Sequence, residues 1–418
     1  MTAPMLTVEA ALEHVLSAFH PLEPERIPIL EALDRVLAED VRAGEDIPPH
    51  ANSSMDGYAV IAAETSGASP EHPARLRIVG EIAAGYVPDA AVTPGTTMRI
   101  MTGAPIPPGA DAAAIAEAIA VVKVEDTASE EDTDGEYANI YTEVAPGNYI
   151  RPAGEDVRQG ELVLSKGALI RSQEIGMLAT LGHKEALVHR RPRVAILATG
   201  DEVVEIDQPL APGKIRNANS YSNAAQVLKQ GGMPLLLGIA RDSVEDLTAK
   251  IRAGLEQGVD LFLTSGGVSV GDFDLVKDVL AAEGDIAFWR VRMKPGKPLA
   301  FGRIGGVPVL GLPGNPVSVM VSFEVFVRPA IWKMLGRTDL ARPTLQATLM
   351  NEIARKDERR HYVRVRVERE AGEYCAYLTG GQGSGILSSM VKANALAIIP
   401  EDWDHAPAGA QVQVMLLD

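Results

Sequence analysis

Hydrophobic positions recur at helical spacing in residues 6–20 (LTVEAALEHVLSAFH), where Val8, Ala11, Leu12, Val15, Leu16 and Phe19 make one apolar stripe. Thr7 stands where a cap belongs, with Ala10 leaving the capping box incomplete. A second short helix is expected at about 30–37. From residue 41 the period changes. Short runs such as LRIVGEI (76–82), TMRIM (97–101), AAIAEAIAVVKV (113–124) and YANIYTEV (137–144) are separated by Pro and Gly and predict strands. Residues 125–136 (EDTASEEDTDGE) carry seven acids and no base, which predicts a solvated hairpin loop. The style of the N-terminus returns at 158–190, with a helix near 172–182. A β-rich domain, 46–149, is therefore expected to interrupt a discontinuous one made of 1–45 and 150–190.

Residues 191–336 alternate between the two periods. VAILAT, PLLLGIA, DLFLTSGG, IAFWRVRM, PLAFGRI and PVLGLPG read as strands. Helices are expected at 219–232, 243–258 (capped by Ser243), 274–284 and 316–335. Apolar strands alternating with helices imply an α/β domain whose parallel-rich sheet is covered on both faces. After Gly336 the chain turns β-like. In YVRVRVE (362–368), Val363, Val365 and Val367 face one side and Arg364 and Arg366 the other, so 337–418 reads as a small β domain.

Charge narrows the function. With 39 basic and 56 acidic side chains the net charge is −17, so a global nucleic-acid footprint is absent. An anionic substrate would have to be captured by a local cluster of Lys, Arg and backbone N–H groups. Cys375 is the lone cysteine, which excludes an intrachain disulfide and a cysteine metal site. No tract approaches the roughly 20 apolar residues of a membrane span. The first residues lack the pattern of a secretory signal, which points to the cytoplasm.

Ligands of an open parallel sheet sit beyond the carboxyl ends of its strands. Those exits here carry Gly200-Asp201-Glu202, Arg241-Asp242, Ser265 to Asp274 (SGGVSVGDFD), Lys294-Pro295-Gly296-Lys297-Pro298 and Leu312-Pro313-Gly314-Asn315-Pro316. Gly266 and Gly267 let backbone N–H groups converge on an anion at a helix start. Asp201, Glu202, Asp242 and Asp274 would repel one another unless a divalent cation neutralised them, and carboxylate oxygens suit Mg²⁺. Lys294 and Lys297 supply positive charge on a loop stiffened by proline. Singly, each segment also reads as a turn or a cap; together on consecutive exits they argue for phosphate or oxyanion chemistry. The eight histidines show no metal-ligand spacing and read as structural or surface residues.

NSSMDGYAV (52–60), IMTGAPIPPGAD (100–111), RPAGEDV (151–157), ATGDEV (198–203), TSGGVSVGDFD (264–274), KPGKPLAFG (294–302) and GLPGNPVS (311–318) resemble, in this order, the MoeA-type molybdopterin molybdenumtransferases and the C-terminal domain of gephyrin. The likeness runs from about residue 6 to the end. It implies that 191–336 is a three-layer αβα domain like MogA, and that the protein is an elongated homodimer whose cleft lies between the central domain of one subunit and the β-rich domain of the other. It implies insertion of molybdenum from molybdate into adenylylated molybdopterin with release of AMP, assisted by Mg²⁺. A MogA-type adenylyltransferase and molybdoenzyme-maturation proteins are the implied partners.

Carried onto this chain, the resemblance marks Asp56, Thr102, Asp156, Glu202, Asp242, Asp274, Arg290 and Lys294 as catalytic, with Glu202, Asp242 and Asp274 toward the metal. It marks Thr199, Ser265, Gly266, Gly267, Ser269, Lys297, Pro313, Pro316, Arg364 and Ser384 as substrate-binding. Arg290 stands where the family has a lysine, and a planar guanidinium is not a point-charge ammonium. Asp56 also reads as a turn cap and Arg364 as part of a solvated strand face. A tungstate-specific paralogue, an adenylyltransferase using ATP and a non-catalytic scaffold are the competing functions.

Overall fold

In the computed structural model the apolar runs of the central region form a seven-stranded sheet. Its order in space is Met5–Leu6, Gly284–Val291, Pro298–Ile304, Val307–Leu312, Leu261–Ser265, Arg193–Thr199, Met233–Ala240. The described residues are 5–88, 90–108, 119–241, 243–266, 284–354 and 357–417. Two compact units divide the chain. One comprises Met1–Glu39, Lys166–Ala179 and His183–Asp418, the other Asp40–Ser165 and Thr180–Gly182.

Val194 and Ile196 of one central strand face one core, and Ala195 and Leu197 face the other. Helices Val8–Ser17, Ala218–Lys229 and the segment Pro316–Met334 lie over the first face, and Val244–Glu256 covers the second. That double covering is why these strands read as unbroken apolar runs. Truncating a fully buried member such as Ile196 to Ala costs about 2–5 kcal/mol. Both expected caps form. Thr7 Oγ1 accepts from Ala10 N at 3.1 Å, and Ser243 Oγ from Asp246 N at 3.2 Å.

The sheet is mixed. Pro298–Ile304 runs antiparallel to both of its neighbours. A parallel return needs a crossover of a dozen or more residues. Only Gly305 and Gly306, at φ 56° and 84°, separate Ile304 from Val307, which is a hairpin connection. The strands flanking the reversed one run in the same direction. The carboxyl ends of Arg193–Thr199, Met233–Ala240, Leu261–Ser265, Gly284–Val291 and Val307–Leu312 therefore still share one edge.

Three expectations need correction. The helix expected at 30–37 is only a 3₁₀ turn, Ile29–Ala32; Asp34 then enters the left-handed region at φ 61° and the chain turns extended. The helix expected at 316–335 contains a π turn at Phe323–Val327. Pro329 follows it, and proline lacks the N–H that a regular helix would donate four residues back. The acidic stretch holds a strand, Thr127–Asp132, paired with Gly135–Ile140. Arg75 meets Asp132 at 2.7 Å and Glu130 at 3.9 Å, offsetting part of its charge.

At the C-terminus, strands Arg360–Glu370, Glu373–Leu378, Thr344–Leu349, Gln411–Leu416 and Ala395–Ile399 close on themselves, and Met293–Lys294 joins as a sixth. Closure leaves those five strands no open edge. The second unit holds a six-stranded sheet ordered Ile119–Lys123, Gly57–Ile61, Thr96–Ile100, Ala74–Ile82, Gly135–Ile140, Thr127–Asp132. Among the described residues no helix is long and apolar enough to cross a membrane.

Candidate active site

The first cavity opens where three strands end. After Thr199 the chain turns through Gly200 at φ 124°, and a Cβ there would collide with the Glu202 carboxylate. After Ser265, Gly266 sits at φ 96°, where a Cβ would lie 2.9 Å from Thr199 O. Only glycine allows two strand exits to approach this closely. The Val307–Leu312 exit joins them through Gly314, whose carbonyl accepts from Asn219 Nδ2 at 2.8 Å. The enclosed space, about 230 Å³, is lined by Thr199, Glu202, Asn217, Asn219, Ser265, Gly266 and Pro316 among others. Asn217 caps helix Ala218–Lys229, whose N-terminus thereby meets the cavity with its positive dipole end.

Of the lining side chains, buried Thr199 Oγ1 and Ser265 Oγ have no hydrogen-bond partner among the described residues, and the same holds for Thr264 Oγ1 on the strand of Ser265 and for Ser220 Oγ and both side-chain polar atoms of Asn223 on helix Ala218–Lys229. Each such atom costs about 1–3 kcal/mol unless something pairs with it. Such a cluster at a sheet edge is suited to a polar ligand.

The second cavity, about 260 Å³, lies against the barrel and is lined by Lys294, Pro295, Glu352, His361, Arg364 and Gln382 among others. Strand pairing builds it, because Lys294 stands in register with His361. Arg364 is 1% exposed. Its Nε donates to Ser389 Oγ at 3.1 Å, and its Nη2 donates to Gly381 O and Gly383 O at 3.3 and 3.0 Å. No carboxylate pairs with it among the described residues, and burial pulls its pKa below the usual arginine range. A buried cation without a counter-ion is costly, and an anion in the cavity would relieve it.

Lys294 Nζ meets Asp357 Oδ2 at 3.4 Å. Arg359 Nε and Nη2 donate to the same carboxylate at 3.0 and 2.9 Å, and His361 Nε2 lies 3.0 Å from Oδ1. The Arg359 hydrogen bonds, then those from His361, hold Asp357 far below the ordinary carboxylate range against the opposing effect of burial. The loop is fixed from below: Gly296 sits at φ 100°, and a Cβ there would lie 2.6 Å from Ser322 Oγ.

Among the described residues, the site residues expected in a single pocket line two cavities. Thr199, Glu202, Ser265, Gly266 and Pro316 gather in the first, Lys294 and Arg364 in the second. Lys294 separates from Glu202 because its segment is recruited as a barrel strand. Pro313 is buried at its strand exit, and Ser384 O accepts from Val317 N at 3.0 Å, tying the 380–385 loop to the Pro316–Ser322 helix. Arg290 and Lys297 are half-buried and line neither cavity.

In the second unit, Thr102 N–H and Oγ1 donate to Asp56 Oδ1 at 2.7 and 2.8 Å, and these bonds, the backbone one first, draw the exposed Asp56 carboxyl's pKa down. Asp156 is exposed, and its N–H donates to Ile47 O. Asp242, Gly267, Ser269 and Asp274 lie outside the described residues. Among the described residues no cluster of three His, Cys, Asp or Glu could hold a metal.

Sequence reasoning missed Asp357, Arg359, His361 and Gln382. A signal existed: Asp357-x-Arg359-x-His361 has the period of one face of an extended strand. His361, read as structural or surface, is 6% exposed and lines the second cavity.

Three family models match the chain: the MoeA N-terminal region (domain I and II) over residues 6–182, a probable molybdopterin binding domain over 195–333 and the MoeA C-terminal region (domain IV) over 346–417. Molybdopterin molybdenumtransferase 2 of Mycobacterium tuberculosis is 37% identical over 416 residues, covering 98% of this chain and 99% of that protein. The molybdopterin molybdenumtransferase of Bacillus subtilis is 34% identical over 413 residues, covering 99% and 94%. The crystal structure of the molybdopterin biosynthesis moeA protein from Pyrococcus horikoshii OT3 superimposes with a TM-score of 0.82 at 32% identity, covering 99% of this chain and 100% of that one.

Proposed function

We infer the chemistry of these cavities from one premise: this chain belongs to the MoeA family. It is a transferase of molybdenum cofactor biosynthesis, a molybdopterin molybdenumtransferase. Its substrates are adenylylated molybdopterin and molybdate, and it releases AMP as molybdenum enters the pterin dithiolene. The observation that carries the assignment of the oxyanion is Arg364, buried at 1% exposure without a carboxylate partner among the described residues, in the cavity that Lys294 also lines.

Lys294 and Arg364 bind molybdate, where burial strengthens the attraction relative to water. Arg364 is pre-oriented by Ser389, Gly381 and Gly383, so little ordering remains when the oxyanion arrives. The hydroxyls of Thr199 and Ser265, which have no partner among the described residues, and the N-terminus of Ala218–Lys229 receive the polar and phosphate portions of the nucleotide-bearing pterin. Glu202 and the same hydroxyls are hard oxygen donors that fit Mg²⁺, with Asp242 and Asp274 as further candidates. When bound, that ion neutralises phosphate charge. Asp56, held in one orientation by Thr102, contacts substrate. The working assembly is a cytoplasmic homodimer, for which mass measurement in solution is the direct check.

The test is incubation of the protein with adenylylated molybdopterin, with and without molybdate, followed by measurement of AMP release and of activation of a cofactor-free molybdoenzyme. AMP release that requires molybdate is expected. Formation of adenylylated pterin from ATP and molybdopterin, with no response to molybdate, would overturn the assignment in favour of an adenylyltransferase.

A further inference from the structure

We propose that Asp357 is a built-in competitor for the oxyanion: its carboxylate occupies Lys294 until a divalent oxyanion takes the ammonium from it. The idea rests on the reading of the second cavity as the molybdate site. A carboxylate and a tetrahedral oxyanion offer the same kind of acceptor oxygens, and donors converge on Asp357 as they would on a bound anion. Arg359 chelates it through Nε and Nη2, His361 Nε2 lies 3.0 Å from Oδ1, and Lys294 Nζ lies 3.4 Å from Oδ2.

These contacts are unequal. The bidentate Arg359 pair, at 3.0 and 2.9 Å, is the geometry that guanidinium and carboxylate hold best. The Lys294 contact is the longest, and its side chain is 46% exposed, so it is the one most readily exchanged. Asp357 therefore stays anchored on Arg359 while Lys294 swings to the incoming ligand, next to Arg364, which lacks a carboxylate of its own among the described residues. Among the described residues, the charged side chains in or bordering the cavity are Lys294, Arg359 and Arg364 against Glu352 and Asp357, with the imidazole of His361 beside them. A ligand with two charges gains more from that surplus than one with a single charge. Asp357 thus sets a threshold: it lowers affinity for every anion, and only a dianion recovers the loss. It is a specificity-determining residue.

The experiment is calorimetric titration of molybdate into the full-length wild type, Asp357→Asn and Lys294→Met, each repeated in excess chloride. For Asp357→Asn, molybdate binding about two- to fivefold tighter than wild type is expected, with a new sensitivity to chloride competition. Unchanged or weaker binding by a folded Asp357→Asn protein overturns the proposal, the weaker result showing that Asp357 only positions Lys294. Should Asp357→Asn not fold, Asp357→Ser is titrated in its place under the same criteria. The underlying reading has a separate failure: no molybdate binding by wild type, or equal binding by Lys294→Met, removes the molybdate site and this proposal with it.

Discussion

The two cavities of the larger unit treat their polar atoms in opposite ways. At the sheet edge, neutral hydroxyls of Thr199 and Ser265 are buried with no partner among the described residues. Against the barrel, Asp357 is bonded to Arg359, His361 and the more exposed Lys294, while buried Arg364 is held by Ser389 and two carbonyls. The first cavity gives up stability until a ligand pairs its hydroxyls. The second carries its own counter-charge in Asp357, while Arg364 has no carboxylate partner among the described residues. The difference teaches that the preparation of a site for a polar ligand takes the form its charge dictates: neutral groups can wait unpaired, whereas a buried cation must be held by fixed dipoles.

The largest effect that would sharpen this contrast is expected from Arg364→Leu. It removes donors to Ser389 Oγ, Gly381 O and Gly383 O and frees the loop they hold. A loss of about 3 kcal/mol of stability is expected in denaturant unfolding, together with loss of molybdate binding. Arg364→Lys keeps the charge without the fork and should fall between. A folded Arg364→Leu protein that binds molybdate normally would erase the distinction between the cavities.

Next in size is Gly266→Val. The residue sits at φ 96° and its Cβ would press on Thr199 O. About 1–3 kcal/mol of strain is expected, with loss of pterin-nucleotide binding while molybdate titration in the other cavity stays unchanged. Loss of both activities together would mean that the cavities are one functional site.

A smaller and opposite effect is expected from Ser265→Ala combined with Thr199→Val. Removing hydroxyls that have no partner among the described residues should leave the free protein as stable as wild type or up to about 1 kcal/mol more stable in thermal unfolding. Binding of the adenylylated pterin should weaken about tenfold. A clear loss of stability would show that those hydroxyls already serve the free protein.

How much of this was legible depends on the range of the interaction. Thr7 and Ser243 announced their caps because the partners lie three residues away. VAILAT announced a strand covered on both sides because both of its faces are apolar. The shared edge also survived, since the reversal of Pro298–Ile304 cancels between its neighbours. The content of the second cavity was hidden. Lys294 meets His361 through a strand pairing between segments far apart in the chain, which no local period encodes. Arg364 alternates with valines as a solvated face would, yet the 381–383 loop covers that face and buries it. Asp274 and Asp242, central to the reading of the sequence, lie outside the described residues.

The finest test of the contrast is a pH dependence that one cavity has and the other lacks. Asp357 is held well below the usual carboxylate range, first by the Arg359 hydrogen bonds. A depressed carboxyl contributes stability that is fully present above its unfolded value, about 3.9, and is lost as pH falls from there toward the folded value. Wild type should therefore lose its advantage over Asp357→Asn as pH drops below about 4, a difference of a degree or two in Tm on the scale of about 1 kcal/mol or less for a pair this accessible to water. The Ser265→Ala, Thr199→Val protein removes no titrating group, so its Tm should run parallel to wild type through the same window. Parallel curves for Asp357→Asn as well would mean that the carboxylate is not bound to its cations in solution, and the second cavity would then lack the internal counter-charge that sets it apart from the first.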